Sequence, residues 1–230
     1  MNPGPVSRRS GGAPTTERKV LAAVVVDVQN DFTEGGSLAV GGGADVAAAI
    51  SARLAEGGYD TVVATRDHHV DPGAHFSPTP DFVTSWPAHC VVGSGGEELH
   101  PALDRSHLEA VFDKGEHAAA YSGFEGRLAW VREGGMEHGG AGLADWLRAA
   151  GVDAVEVMGI ATDHCVVATA LDAAAEGFAV TVRLDLTAGV AAASTAAAVE
   201  RMRQAGIALV GEPVVRAAAP HPPTEQPRRG

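Results

Sequence analysis

The first apolar run along the chain predicts a buried strand. Residues 20–26 are apolar without interruption, and the run ends abruptly at Asp27. A strand with one face in water would alternate apolar and polar residues, so an unbroken run is typical of a parallel strand covered on both faces. Five further apolar segments have the length of a strand. The six predicted strands cover residues 20–26, 61–65, 108–112, 154–158, 179–182 and 207–210.

Apolar residues at helical spacing separate these strands. In the first such segment Val46, Ile50 and Leu54 fall on one face, and a Gly-Gly pair ends the helix. The predicted helices cover residues 43–56, 142–150, 165 to about 177, and 191–205. Strands that alternate with helices form a parallel sheet with helices on both faces. We therefore predict an α/β fold: a three-layer, Rossmann-like sandwich around a mainly parallel sheet of about six strands.

The ends of the chain differ in composition from its middle. Residues 1–17 are rich in Gly, Pro and Ser, and residues 216–230 are rich in Ala, Pro and Arg, so both are predicted to be disordered tails. Residues 18–215 are predicted to form a single domain, which is long enough to bury a sizeable core. Within it, 68–106 is a long loop and the Gly-rich stretch 126–142 is predicted to be an irregular excursion.

Charge and cysteine content limit the possible partners. The formal net charge is −12, and no basic cluster exceeds two arginines, which argues against nucleic acid or an anionic membrane as a partner. No segment is apolar enough for a signal peptide or a membrane span. Two cysteines are too few for a disulfide scaffold. We expect a cytoplasmic protein with a small-molecule partner, either a monomer or a homo-oligomer.

Four chemically capable residues follow predicted strands. Asp27, Asp67, Lys114 and Cys165 each lie at or shortly after the carboxyl end of a different strand. In open α/β sheets, ligands bind outside these strand ends. A single Asp after a strand is usually a helix cap or a turn residue, but four such residues at one sheet edge indicate a functional site.

The first candidate group consists of Asp27, Lys114 and Cys165. A thiol becomes a nucleophile when a base takes its proton, and Asp27 is such a base. Lys114 and the start of the helix are expected to stabilise the thiolate and to lower the pKa of the thiol. The backbone N–H groups of residues 159–161, with that of Cys165, are candidates for an oxyanion site. The alternative interpretation is that Cys165 is a small buried residue. The adjacent His164 is given a structural role.

The second candidate group is a set of metal ligands. Carboxylate and imidazole ligands together suit Zn²⁺, Fe²⁺ or Mn²⁺. The alternative is a polar, solvated loop, because His68 and His100 in the same region have no assigned role. The candidate ligands are Asp67, His69, His75 and His89.

These motifs resemble those of the nicotinamidase/pyrazinamidase enzymes, which belong to the isochorismatase-like cysteine hydrolases. The resemblance covers about residues 20–210 in order. It includes the loop with the candidate metal ligands, which hydrolases of the family without a metal do not need. The motifs lie at residues 27–32, 35–40, 64–76, 85–90, 114–115, 121–124, 159–166 and 185–190.

The resemblance implies hydrolysis of nicotinamide to nicotinate and ammonia, as a step of NAD salvage, and hydrolysis of pyrazinamide as well. Cys165 is then the nucleophile that forms a thioester, Asp27 the base and Lys114 its charged partner. One divalent ion, Fe²⁺, Mn²⁺ or Zn²⁺, is held by the four candidate ligands and binds the ring nitrogen of the substrate. The peptide bond between Ile160 and Ala161 is cis in this family.

The resemblance also implies a flat aromatic pocket. Its walls correspond to Phe32, Trp86, Ala120 and Tyr121, although ordinary core packing is the alternative for these side chains. The stretch 125–143 is longer than in compact members of the family. It either folds over the pocket or faces solvent, and we expect it to face solvent.

Two other functions compete with this interpretation. The first is a hydrolase of the same fold that acts on another small amide or ureido compound. The second is a non-catalytic domain that binds a metal or ligand, and the joint presence of Asp27, Lys114 and Cys165 argues against it. No G-x-G-x-x-G sequence follows the first strand, which argues against a dinucleotide-binding oxidoreductase.

Overall fold

One sheet organises the chain. The computed structural model describes residues 18–135 and 140–217. Both tails, predicted at 1–17 and 216–230, lie outside these residues except for Arg216 and Ala217. The eight strands of the described part are β1 Leu21–Val26, β2 Thr61–Asp67, β3 Ala110–Lys114, β4 Arg127–Val131, β5 Ala154–Ile160, β6 Ala179–Gly189, β7 Ala208–Val210 and β8 Val214–Val215.

The strands run in the order β4-β3-β2-β1-β5-β6-β7, and β8 pairs with the far end of β6. Every pairing is parallel except the antiparallel pairing of β3 with β4. The chain builds one half of the sheet from β1 towards β4 and then returns to the other side of β1 with β5. The strand order therefore reverses between β1 and β5, and ligand sites of α/β sheets lie at such a switch point.

Helices cover both faces of the sheet. They are α1 Gly43–Ala55, α2 Leu143–Ala149, α3 Val167–Ala175 and α4 Ala192–Gln204. On β1, Val24 and Val26 pack with α2, α3 and α4, whereas Ala23 and Val25 pack with α1 and the long loop. Both faces of β1 are therefore buried, as its unbroken apolar run predicts, and the predicted three-layer α/β fold is confirmed. No helix in the described ranges is long and apolar enough to cross a membrane.

The sheet has more strands than the roughly six predicted. The additional strands are β4 and β8. β4 lies within the stretch that was predicted to be irregular. Residues 128–131 are a short apolar run, but all side chains of β4 are exposed or half-buried, and its pairing with the edge of β3 makes it a strand. β8 is too short to give a pattern.

Strand ends also differ from the prediction. β2 and β3 extend two residues further than predicted, and Asp67 and Lys114 are their last residues. In the parallel register these two residues lie side by side. At the other end of the chain, Arg216 forms a β-bridge with Gly41, so the fold includes the first residue of the predicted tail.

Candidate active site

The four residues that follow predicted strands meet at one buried point. Asp27 follows β1, Asp67 ends β2, Lys114 ends β3, and Cys165 lies in the turn after β5. Each is less than a tenth exposed. Asp27 has a φ of 48°, in the left-handed region that Asp tolerates better than most residues. This backbone conformation turns the chain sharply at the edge of the sheet.

Lys114 joins the other three residues. Its Nζ lies 2.9 Å from Asp27 Oδ2 and 3.7 Å from Cys165 Sγ, and it forms an ion pair with Asp67 Oδ1. Oxygens of both carboxylates and the sulfur of Cys165 lie within 4.8 Å of one another. Thr65 Oγ1 donates a 2.7 Å hydrogen bond to Asp27 Oδ1, which fixes the orientation of this carboxylate.

Burial and charge set the proton positions in this group. Burial alone would lower the pKa of Lys114, but Asp27 and Asp67 raise it well above its ordinary value. Burial raises the pKa of Asp27, and its hydrogen bond from Thr65 and the charge of Lys114 offset this only in part. Burial would likewise raise the pKa of Asp67, but Lys114 and His69 bring it below the ordinary range. The positive charge of Lys114 therefore stabilises mainly the Asp67 carboxylate.

The pKa of the Cys165 thiol differs from the sequence prediction. Lys114 lowers the pKa of Cys165 as expected, but burial raises it more, and Asp27 and Asp67 add to the increase. The net pKa lies well above the ordinary value of a thiol, so the prediction of a lowered pKa was wrong. A neutral buried thiol needs a base beside it, and a carboxylate oxygen of Asp27 lies within 4.8 Å of Cys165 Sγ.

The turn that carries Cys165 is a π-helical turn, Thr162–Val166, rather than the first turn of an α-helix. α3 begins only after it, at Val167. The peptide bond between Ile160 and Ala161 is cis, as the resemblance implies. Ile160, Ala161 and Cys165 all line the same cavity.

Three histidines meet beside Asp67. Each of the residues His69, His75 and His89 is at most 5% exposed, and one nitrogen of each lies within 4.8 Å of one nitrogen of the others. Asp67 Oδ2 lies 3.6 Å from His69 Nε2 and 3.8 Å from His89 Nε2. The structure therefore brings the four predicted metal ligands together.

The hydrogen bonds of these histidines fit a metal site. His69 Nδ1 lies 2.6 Å from the carbonyl of Gly115, and His89 Nδ1 lies 2.8 Å from that of Pro87, so the opposite ring nitrogens are free to act as ligands. His69 Nε2 and His75 Nδ1 are buried without a hydrogen-bond partner among the described residues. Burial lowers the pKa of His75 to about 4, with a smaller effect of His89, which keeps the ring neutral. Unpaired buried imidazoles beside a carboxylate suit a divalent cation.

Gln29, which the sequence analysis did not identify, positions one of these ligands. Its side chain is fully buried, accepts a hydrogen bond from Asp67 N and donates to the carbonyls of Asp67 and Glu97, each at 2.8 Å. The signal in the sequence was a polar residue three positions beyond a buried strand. His68, which had no assigned role, contacts Glu97 and Asp113 instead of the metal ligands.

A cavity of about 690 Å³ opens onto these groups. All four predicted pocket residues line it: Phe32, Trp86, Ala120 and Tyr121. Trp86 Nε1 donates a 3.0 Å hydrogen bond to the hydroxyl of Tyr121. The ring of His164 packs on both, with centroids 5.1 Å from Trp86 and 6.3 Å from Tyr121, and it lines the cavity as well. The walls of the cavity are aromatic, and its buried floor includes Asp67, His75, His89 and Cys165.

Fold and site together are those of a cysteine-centred α/β enzyme. The family model described as the isochorismatase domain matches residues 22–212, and the chain belongs to this family. It is 57% identical over 190 residues to the nicotinamidase/pyrazinamidase of Mycobacterium tuberculosis, an alignment that covers 82% of this chain and 97% of the relative. It is 37% identical over 188 residues to the nicotinamidase of Escherichia coli, covering 74% and 83%.

Solved structures agree with the sequence comparison. A protein from L. infantum in complex with nicotinate superimposes with a TM-score of 0.72 at 34% identity, covering 84% of this chain and 92% of the other. The pyrazinamidase of Pyrococcus horikoshii in complex with zinc superimposes with a TM-score of 0.68 at 34% identity, covering 83% and 98%.

Proposed function

We propose that this chain hydrolyses nicotinamide to nicotinate and ammonia, and pyrazinamide to pyrazinoate and ammonia, through a thioester on Cys165. The observation that carries the proposal is the joint burial of the Cys165 thiol, the Asp27 carboxylate and three neighbouring imidazoles beside one aromatic cavity. The names of the relatives support the substrate, and so does the nicotinate complex.

In the first half of the proposed reaction, Asp27 removes the proton of Cys165 as Sγ attacks the carboxamide carbon. Lys114 lies 2.9 Å from Asp27 and 3.7 Å from Sγ, so its charge compensates the negative charge as it moves between these groups. The backbone N–H groups of Ala161 and Cys165 stabilise the oxyanion. The carbon–nitrogen bond then breaks, and Asp27 returns its proton to the departing ammonia.

In the second half, water attacks the thioester carbonyl. Asp27 accepts a proton of the water, the carbon–sulfur bond breaks, and the thiol regains its proton as the carboxylate product leaves. The raised pKa of Asp27 suits this role, because a base that must also return its proton works best with a pKa near the operating pH.

The residues Asp67, His69, His75 and His89 are proposed to hold one divalent ion, Fe²⁺, Mn²⁺ or Zn²⁺. When bound there, the ion supplies a Lewis-acid contact for the ring nitrogen of the substrate. Imidazole and carboxylate ligands suit all three ions. Phe32 and Trp86 are proposed to pack on the faces of the ring, with Ala120 and Tyr121 completing the pocket.

The proposal is tested with Cys165→Ala in metal-loaded protein, by measuring ammonia and nicotinate released from nicotinamide. We expect a loss of at least about 10³-fold in kcat, because the nucleophile itself is removed. The matched control is Cys90→Ala, which removes the other buried free thiol and is expected to keep activity. Turnover by Cys165→Ala at the wild-type rate would contradict the proposal.

A further inference from the structure

The mouth of the cavity has an apolar tip on one side. Phe82 and Val83 are 58% and 72% exposed, yet both line the cavity together with the buried floor residues. The ring of Phe82 lies 6.2 Å from that of Trp86 in an edge-on contact, so the tip extends the Trp86 wall outward. Large apolar side chains exposed at a pocket mouth are typical of surfaces that contact a ligand.

Asp81 holds this tip in shape. Its carboxylate accepts hydrogen bonds of 2.8–2.9 Å from the backbone N–H groups of Val83, Thr84 and Ser85. It also accepts from the hydroxyls of Thr84 and Ser85. Phe82 has a φ of 57°, which is uncommon for a bulky residue and requires support from its surroundings. The two exposed apolar side chains are thus presented by a loop that is organised before any ligand binds.

The turn that carries Cys165 also borders the cavity. Asp163, in the π-helical turn, accepts hydrogen bonds from Val190 N, Ala191 N and Ser194 Oγ, at 2.9, 3.3 and 2.5 Å. All three of these residues line the cavity. The cavity is therefore bordered both by the Phe82–Val83 tip, which contacts Trp86, and by the turn of Cys165, whose His164 packs on the same Trp86 ring.

The cavity is larger than nicotinamide requires. Nicotinamide is a single pyridine ring with one carboxamide, and the cavity of about 690 Å³ continues from its floor past the aromatic walls to the tip. In the proposed pose the carboxamide faces Cys165 and the ring nitrogen faces the histidines. Only ring carbon 5 is adjacent to neither the carboxamide-bearing carbon nor the ring nitrogen. A substituent there avoids both reactive ends and extends along the aromatic wall.

We infer that the Phe82–Val83 tip is an apolar outer subsite, and that this chain accepts pyridine-3-carboxamides with an apolar group on ring carbon 5. The inference rests on the proposed function, because it takes the orientation of the substrate from it. Phe82 and Val83 determine specificity by contacting the apolar group, and Asp81 is a positioning residue that acts through them.

The test compares kcat/KM for 5-propylnicotinamide with kcat/KM for nicotinamide, using the metal-loaded full chain. The ratio of the two values is expected to fall about tenfold in the double variant Phe82→Ser/Val83→Ser, because a few methylene groups lose their apolar contact. The change is expected mainly in KM. Val210→Ser, an exposed valine on β7 away from the cavity, is the matched control and is expected to leave the ratio unchanged.

Variants of Asp81 provide a second, independent test. Asp81→Ala is expected to lower the same kcat/KM ratio, because it removes the hydrogen bonds that fix the conformation of the tip. Asp81→Asn is expected to restore most of it, because Oδ1 accepts all three backbone hydrogen bonds and an amide oxygen can replace it. An equal loss in both Asp81 variants, or an equal loss for both substrates, would overturn the positioning role.

Other outcomes separate the inference from the proposed function. Wild-type protein that hydrolyses nicotinamide but not 5-propylnicotinamide would overturn the inference alone. A kcat/KM ratio that the double variant leaves unchanged would also overturn the inference. A preference for the isomer with propyl on the amide nitrogen would overturn it too, because the apolar wall would then bind the leaving group. Wild-type protein that hydrolyses none of these compounds would contradict the proposed function itself.

Discussion

Lys114 sets the chemistry of the site at the scale of single residues. It contacts both carboxylates, but the two respond differently, since the pKa of Asp67 falls below its ordinary range and that of Asp27 rises above it. Asp67 is thereby kept as an anion beside the histidines, whereas Asp27 can exchange a proton. Two carboxylates with pKa values driven apart by their surroundings suit the separate roles proposed for them, Asp67 as a ligand and Asp27 as a base.

The acid limb of the pH profile should report Asp27. Below its pKa, Asp27 is protonated and cannot take the proton of Cys165, so kcat/KM falls as the pH drops through this value. The Thr65 hydroxyl lowers the pKa of Asp27 by its hydrogen bond. Thr65→Val removes the bond, so the pKa should rise and the acid limb should move to higher pH, by up to about one unit.

The control for this prediction is Thr195→Val. Thr195 is also buried, but its hydroxyl has no hydrogen-bond partner among the described residues. It is not one of the groups that shift the pKa of Asp27. Its pH profile should match that of the wild type. An acid limb that stays in place in Thr65→Val would show that another group controls it.

The register of neighbouring strands assembles the site at the scale of elements. The last residues of β2 and β3, Asp67 and Lys114, are direct partners in the sheet, so their ion pair follows from the pairing itself. The turn after β3 then fixes a histidine. Gly115 has a φ of 79°, its carbonyl accepts from His69 Nδ1, and a Cβ at this position would lie 2.5 Å from His69 Cε1.

Gly115→Ala should therefore displace the His69 ring and weaken metal binding by at least about tenfold, as loss of support for a ligand typically does. Metal affinity is measured by calorimetric titration of metal-free protein. Gly151→Ala is the matched control, because Gly151 has a similar φ of 71° but open space around it. If both variants lose affinity equally, backbone strain rather than the clash with His69 is responsible.

The fold was largely predictable from the sequence at the scale of the whole molecule, and the site partly so. Apolar runs identify β1 and β5 because both faces of these strands are buried. β4 was not predicted because it is an exposed edge strand that is held in place by pairing with β3, and the local sequence does not indicate this pairing. The pKa of Cys165 was misjudged because its burial depends on distant segments. Gln29 was missed for the same reason, since both of its partners lie elsewhere in the chain.

Metal binding should stabilise the whole domain, because the ligands come from a strand end and a long loop that fold together. By mass action, metal at about 100 times its Kd adds about 2.7 kcal/mol to the free energy of unfolding. The melting temperature should rise on metal addition in the wild type and hardly at all in His75→Ala. The exposed His117→Ala is the control and should keep the rise, and a rise of wild-type size in His75→Ala would contradict the assigned ligand.

The proposed reaction is tested most directly by measuring release of ammonia and nicotinate from nicotinamide by the full chain, before chelation, after it, and after return of Fe²⁺, Mn²⁺ or Zn²⁺ singly. We expect equimolar ammonia and nicotinate before chelation, loss of activity on metal removal, and recovery with at least one of these ions. Metal-loaded protein with an intact Cys165 thiol that leaves nicotinamide unchanged would contradict the proposed reaction.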